Sequence, residues 1–257
     1  MPLKAKKKKK VVIIGGGISG LEAAWVSGAK GHNVTLFSAS DDLGGKCRLN
    51  ATIPGCETLS SIYDYQKVMI SKFNVDTRLN WFATPKDVLE LNPDEVIVAT
   101  GGKMLWPSTL PLHYKNDGII FDLRQVVADF LKVKSQVGGN LIIYDADGMD
   151  ATYSSAEYLN LFFDKVFIVT ERELIGKDEP VVRTQSIIRR VYNAGIEIIS
   201  LSTPSAKSNF EDGIFVYKNV ITNKENSINN VSLFTYSTQR KPVQSLHKEL
   251  QKNIKNI

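Results

Sequence analysis

The chain has 257 residues, 43% of them hydrophobic and 23% charged, a composition that supports one large or two small globular cores. No apolar run reaches membrane-spanning length and no secretory signal is visible, so membrane insertion and export are not expected. The formal charge of +5 does not mark a nucleic-acid-binding face: Lys4 and Lys6 to Lys10 hold six of the 32 Lys and Arg residues, and the rest nearly balance 27 Asp and Glu.

Residues 1–10 therefore read as a basic tail, either a solvated leader or linker, a contact for an anionic polymer or membrane, or the stub of an upstream domain. Cys47 and Cys56 are too few for a disulfide framework or a zinc site and fit a reducing, cytoplasmic setting. Residues 11–20, VVIIGGGISG, predict a buried strand, a glycine turn and a helix start. In G-x-G-x-x-G, Gly15 allows the tight turn, Gly17 lets backbone approach a pyrophosphate, and Gly20 lets the helix pack close to the strand. The helix N-terminus then offers unpaired N–H groups and a positive dipole end to phosphates. The bland alternative is a tight strand-to-helix turn with no ligand.

A second strand is predicted at 33–37. Its end normally carries Asp or Glu for the adenosine ribose. Here that position is Ser38, with Asp41 and Asp42 placed slightly late to compensate. Gly44, Gly45 and Lys46 follow, a pair of glycines that lets a loop run close over a ligand, or a plain turn. Further along, the pattern predicts a helix at 62–73, a short strand at 74–79, a helix at 83–91 opened by Pro85, and a buried strand at 94–99 running into Thr100 and Gly101. Residues 103–118 read as an irregular crossover and 123–133 as a helix.

A second β-α unit begins near Gly139, with a strand at 140–144, a helix at 154–163 and a strand at 164–170. Its turn reads Asp145-Ala146-Asp147-Gly148-Met149-Asp150, and the glycine fingerprint is gone. Three aspartates would repel a pyrophosphate. This lobe is read as keeping the dinucleotide fold without a nicotinamide nucleotide; the alternative for the aspartates is turn and cap chemistry. The remaining predictions are a loop at 171–182, a helix at 184–193, a strand at 196–201, a hairpin within 210–221 crossing Asn219, a strand at 231–236, and a polar helix at 243–254. The expected fold is α/β: two Rossmann-like three-layer nucleotide-binding lobes, the second inserted in the first, with the C-terminal part of the first truncated. The boundaries are 11–118 with 228–257 for the first lobe and 119–227 for the second.

Taken together, VVIIGGGISGLEAAW, GHNVTLFSASDDLGGK and DEVIVATGG resemble the C-terminal nucleotide-binding half of flavoenzymes of the trimethylamine dehydrogenase and 2,4-dienoyl-CoA reductase type. LIIYDADGMDATYSSAEYL, VFIVT and IIRRVYNAGIEII are similar to the degenerate nicotinamide domain of the amine dehydrogenase and N-methylproline demethylase branch. The resemblance covers residues 8–248. It implies FAD or ADP as cofactor and nucleotide contacts at Gly15, Gly17, Ser19, Gly20, Ser38, Gly44, Gly45, Lys46, Thr100 and Gly101. It also implies a catalytic partner: a flavoprotein and iron–sulfur subunit, or an upstream FMN barrel domain. The chain is expected to stop before the Gly-Asp strand-turn-helix that holds the flavin in this superfamily, which makes an adenosine diphosphate moiety easier to seat than an isoalloxazine.

No catalytic set is read, and no metal site. His32, His113 and His247 are scattered without acid or cysteine partners at a recognisable spacing. Three functional readings follow: a nucleotide-binding component of a flavin-linked oxidoreductase supporting electron transfer, a non-catalytic ADP-binding scaffold, and a protein recruited through its Lys tail. A pyridine nucleotide-disulfide-type reductase is a further alternative, since LGGKC resembles the start of that family's redox pair, but Cys56 follows nine residues after Cys47 with Pro54 between.

Overall fold

The structure, a computed structural model, describes residues 2–252. The chain forms two compact units, one running to Lys103 and resuming at Lys241, the other Met104–Arg240.

The first unit opens with β1 (Lys10–Ile14), α1 (Ile18–Ala29), β2 (Asn33–Phe37), α2 (Gly45–Ala51), α3 (Ser60–Lys72), β3 (Asp76–Arg78), α4 (Pro85–Glu90) and β4 (Glu95–Val98), and the chain leaves it along β5 (Gly102–Met104). Four of the strands make a parallel sheet in the order β3-β2-β1-β4. Strand β1 lies inside it, with cores on both sides. Val11 and Ile13 pack with Leu21 and Ala24 of α1 and with Tyr63 and Ile70 of α3. Val12 and Ile14 pack with Val88 of α4 and Val96 of β4. This is why β1 reads as an unbroken apolar run, since a strand covered on both faces has no polar side. Burying each of the Val, Leu and Ile side chains contributes about 1.5–3 kcal/mol. Helix α4 starts where Pro85 suggests, and Thr84 and Asp87 close a reciprocal capping box over its first turn.

The basic tail is shorter than the sequence suggests. Lys10 already belongs to β1 and takes the Asp94 carboxylate on its backbone N–H at 2.7 Å. Lys9 pairs with Glu95 at 2.5 Å, and the Ala5 N–H donates to the Lys30 carbonyl at 2.9 Å. The start of the chain is tied to β4 and to the end of α1.

The second unit contains α5 (His113–Asn116), β6 (Phe121–Asp122), α6 (Leu123–Phe130), β7 (Asn140–Asp145), α7 (Asp150–Leu159), β8 (Lys165–Val169), α8 (Val181–Asn193), β9 (Glu197–Ile199), β10 (Ser202–Pro204), β11 (Phe215–Asn219), β12 (Glu225–Ile228) and β13 (Val231–Ser237). Its five-stranded sheet is parallel, ordered β6-β13-β7-β8-β9, and a smaller antiparallel sheet runs β10-β11-β12. The chain returns through β14 (Arg240–Pro242), which pairs with β5, and ends its described part with α9 (Ser245–Leu250).

Several expectations are revised. The unit boundaries fall at 103/104 and 240/241 instead of 118/119 and 227/228. The crossover segment belongs to the second unit because Met104, Leu110, Tyr114 and Ile120 are buried in that unit's core. It also contains the short helix α5. The late strand belongs there too, because β13 hydrogen-bonds to β7 and β6. The hairpin pairs 215–219 with 225–228 instead of lying inside 210–221. Helices α7 and α8 begin at Asp150 and Val181, three to four residues earlier than predicted. The terminal helix is six residues long; the expected continuation past residue 252 lies outside the described residues.

Candidate functional site

The C-terminal ends of β1, β2 and β4 meet around the glycine turn. The Gly15 N–H donates to the Phe37 carbonyl and the Ala99 N–H to the Ile14 carbonyl, both at 2.8 Å. Strand β1 has β2 on one side and β4 on the other, the arrangement that opens a ligand crevice in a parallel sheet. A cavity of about 640 Å³ lies there, a size that suits a nucleotide-scale ligand.

The three glycines of the turn do different work. Gly15 has φ of +118°, and a Cβ on it would stand 2.2 Å from the Ala99 carbonyl oxygen. A Cβ on Gly20 would stand 1.8 Å from the Gly15 carbonyl oxygen. Both are therefore fixed by backbone on backbone packing. Gly17 caps α1 with φ of −79°, a value any residue adopts, and a Cβ there would meet nothing within 4 Å. The space above Gly17 belongs to the cavity. No side chain caps α1 and no acidic residue sits in its first turn, so its leading N–H groups and dipole end face the cavity without a competing anion.

The second glycine loop is strapped against the first. The Gly44 N–H donates to the Gly16 carbonyl at 2.8 Å, and Gly17 and Gly44 form a parallel bridge. A Cβ on Gly45 would lie 3.0 Å from the Gly17 Cα. Lys46 donates to the Gly102 carbonyl, which holds α2 to the far side of the cavity. Gln66 of α3, only 3% exposed, donates to the Ile18 carbonyl at 3.2 Å and to the Glu22 carboxylate at 2.9 Å, fixing the first turn of α1.

Of the residues singled out in the sequence, Gly15, Gly17, Ser19, Ser38, Gly44, Gly45, Lys46, Thr100 and Gly101 line the cavity. Gly20 stands behind it in the contact between α1 and β1. Thr100 spends its hydroxyl on the Val243 carbonyl at 3.1 Å, while the Val243 N–H donates to Gly101 at 3.0 Å. Asp42 lines the cavity, Asp41 does not, and both are ion-paired. Asp41 pairs with Arg48 at 3.4 Å, and Asp42 pairs with Lys67 at 2.7 Å. The Lys67 hydrogen bond, with the Leu43 N–H, holds the Asp42 carboxyl below its ordinary range.

Two groups of lining residues escaped the sequence reading. Trp81, Phe82 and Ala83 come from the loop between β3 and α4, and Val243, Ser245 and Leu246 from the returning chain. The first had a signal, an adjacent aromatic pair in the short loop ahead of α4. The second had none, since its position depends on a strand pairing between residues over a hundred positions apart. The short strand β14 and the helix α9 bring this segment to the cavity. The returning segment carries no Gly-Asp pair.

The corresponding turn of the second unit is filled by its own chemistry. The Asp145 carboxylate is fully buried and accepts from the Gly148 N–H at 2.8 Å, the Asp147 N–H at 3.1 Å and the Tyr153 hydroxyl at 2.7 Å. Burial raises its pKa, partly offset by these bonds. Asp147 pairs with Arg240, and Asp150 with Arg183 and Arg190, each at 2.5 Å. A Cβ on Gly148 would be 3.0 Å from the Arg172 guanidinium.

Both cysteines are free. The Cys47 thiol donates to the Leu59 carbonyl at 3.6 Å, and burial pushes its pKa up, the opposite of an activated redox thiolate. No metal-binding group of His, Cys, Asp and Glu occurs among the described residues. His32 accepts from the Lys9 N–H, and the His113 ring lies 4.1 Å from that of Tyr114. No helix among the described residues is long and apolar enough to cross a membrane.

Fold and site define a nucleotide-binding Rossmann-type α/β protein, and residues 13–91 match the sequence model of the NAD(P)-binding Rossmann-like domain. Its sequence relatives are parts of larger oxidoreductases. The chain is 31% identical over 206 residues to N,N-dimethylglycine/sarcosine dehydrogenase of Chromohalobacter salexigens, covering 73% of this chain and 29% of that protein. It is 35% identical over 156 residues to the probable N-methylproline demethylase of Rhizobium meliloti, covering 61% of this chain and 22% of that protein. The chain thus spans less than a third of the length of these relatives. In fold it resembles histamine dehydrogenase from Rhizobium sp. 4-9, with a TM-score of 0.83 at 22% identity over 98% of this chain and 39% of that one. It also resembles Lactococcus lactis thioredoxin reductase, with a TM-score of 0.69 at 19% identity over 95% of this chain and 81% of that one.

Proposed function

We propose that the chain binds an adenine nucleotide, FAD or ADP, in the first unit and serves as the nucleotide-binding component of a flavin-linked oxidoreductase of the amine dehydrogenase and N-demethylase type. The observation that carries this is the contrast among the glycines. Gly15 and Gly20 have backbone where a side chain would go, whereas Gly17 has open cavity. A bare backbone at a position with ordinary φ and room for a methyl group fits close approach by something outside the protein.

The diphosphate would sit over Gly17 against the first turn of α1, with Gly44 and Gly45 closing over it and Lys46 at the rim. FAD, when bound, supplies two-electron chemistry that no side chain here provides; the chain's own residues bind and orient it. The catalytic partner in this reading is an FMN barrel, in a separate subunit or upstream in a longer chain. The sequence relatives, named as dehydrogenases and a demethylase and more than three times as long as their matching regions, support that arrangement. Mass spectrometry of ligand released on denaturation, with FAD and ADP titrations of the stripped protein, tests it. FAD or ADP in the extract or a saturable titration is expected; a protein that binds no adenylate overturns it.

A second reading, an ADP-binding scaffold without redox chemistry, is favoured by the second unit's turn, where Asp145, Asp147 and Asp150 already have partners and Arg172 crowds Gly148. A nicotinamide nucleotide has poor prospects there. Steady NAD(P)H oxidation with an artificial electron acceptor would count against the scaffold reading.

A further inference from the structure

We propose that the bound nucleotide is held at its base by an aromatic wall, Trp81 and Phe82, and that the site does not read the ribose 2′-hydroxyl. This rests on the adenine nucleotide reading above and specifies how that nucleotide is selected.

The usual reader of the ribose in a dinucleotide fold is a carboxylate at the end of the second strand. Ser38 holds that place. It is 3% exposed, its Oγ accepts the Ser40 N–H at 3.3 Å, and a Cβ on Gly16 would come within 2.6 Å of that oxygen. The hydroxyl is packed beneath the glycine turn. The carboxylates of the following loop are ion-paired: Asp41 with Arg48, and Asp42, which lines the cavity, with Lys67, Arg48 and the Leu43 N–H. A ribose arriving at this rim meets acceptors that each already hold at least one donor, so a further hydroxyl gains less there than at an unpaired carboxylate.

The same rim carries the aromatic pair. Trp81 is 43% and Phe82 83% exposed, and both line the cavity. The loop that presents them is anchored, since the Trp81 N–H donates to the Ser38 carbonyl at 2.8 Å. The indole packs 5.9 Å from the Phe37 ring, and the Arg78 guanidinium lies 5.8 Å from the indole centroid. A phenyl ring so open to water at a cavity mouth gains burial when a ligand covers it. A flat base does so by stacking, which needs no contact to the sugar.

The test is isothermal titration of stripped protein at fixed salt with ADP and 2′-deoxy-ADP, using the wild type, Phe82→Ala and a control, Val68→Ala, at an exposed position outside the cavity. Thermal melts of each free protein are recorded alongside. Both nucleotides are expected to bind the wild type within about threefold of each other. Phe82→Ala is expected to weaken both about tenfold, the scale of one lost base stack, with an unchanged melting temperature, while Val68→Ala binds normally. A tenfold or greater preference for ADP over its deoxy analogue overturns the proposal, as does a Phe82→Ala variant with wild-type affinity. If neither nucleotide binds the wild type, this proposal fails, and if FAD does not bind either, the adenylate reading fails with it; the other two failures leave that reading standing.

Discussion

Adding one methyl group at two positions of the glycine turn should have opposite consequences. At Gly20 the new Cβ would lie 1.8 Å from the Gly15 carbonyl oxygen. Both atoms belong to packed backbone, so α1 must move off β1. Overpacking of this kind costs about 1–3 kcal/mol, which for a chain of this size lowers Tm by roughly 2–12 °C. At Gly17 nothing lies within 4 Å and φ is already −79°, so Gly17→Ala should leave the free protein within about 1 kcal/mol of wild type, since the poorer N-cap preference of Ala is offset by the smaller entropy of its unfolded chain. The methyl group would instead occupy the space through which a diphosphate reaches the backbone. The same 1–3 kcal/mol then appears as about five- to 150-fold weaker nucleotide binding. Differential scanning fluorimetry of the free proteins and calorimetric titration with ADP or FAD separate the two effects. If Gly17→Ala melts early yet binds nucleotide normally, the division of labour among these glycines is wrong.

Leu250→Ala should destabilise the first unit by about 2–5 kcal/mol, because Leu250 is fully buried against Val12, Ile14 and Phe37; urea melts that matched the wild type would show that the returning helix is not docked there. Asp42, whose carboxyl is depressed by Lys67, should contribute stability above the ordinary carboxylate range and lose it as pH falls through its lowered value. Asp42→Asn should therefore flatten the acid limb of the stability curve, and an unchanged limb would refute the pairing. Cys47 should alkylate more slowly at pH 8 than a small free thiol, since burial raises its pKa; rapid labelling, read by peptide mass, would revive the disulfide-reductase reading.

How much was legible in advance depended on how local each feature is. The glycine turn, β1 and the capped start of α4 are written in contiguous residues whose sterics act within a few positions. They could be read directly, as could the loss of the glycine fingerprint at Asp145–Asp150. The committed state of Asp41 and Asp42 was not legible, because Lys67 lies a helix away and only the packing of α3 brings it near.

The sequence by itself determined that two Rossmann-like units exist and that the first carries a strand, glycine turn and helix start, because apolar runs, glycine spacing and turn chemistry are local constraints. Only the tertiary structure decided which unit owns β13, how Ser38 is buried, and which distant residues complete the cavity. Those outcomes rest on strand pairing and side-chain burial between segments far apart in the chain. Val243 reaches Gly101, and Trp81 reaches Ser38, through backbone hydrogen bonds that no periodicity announces.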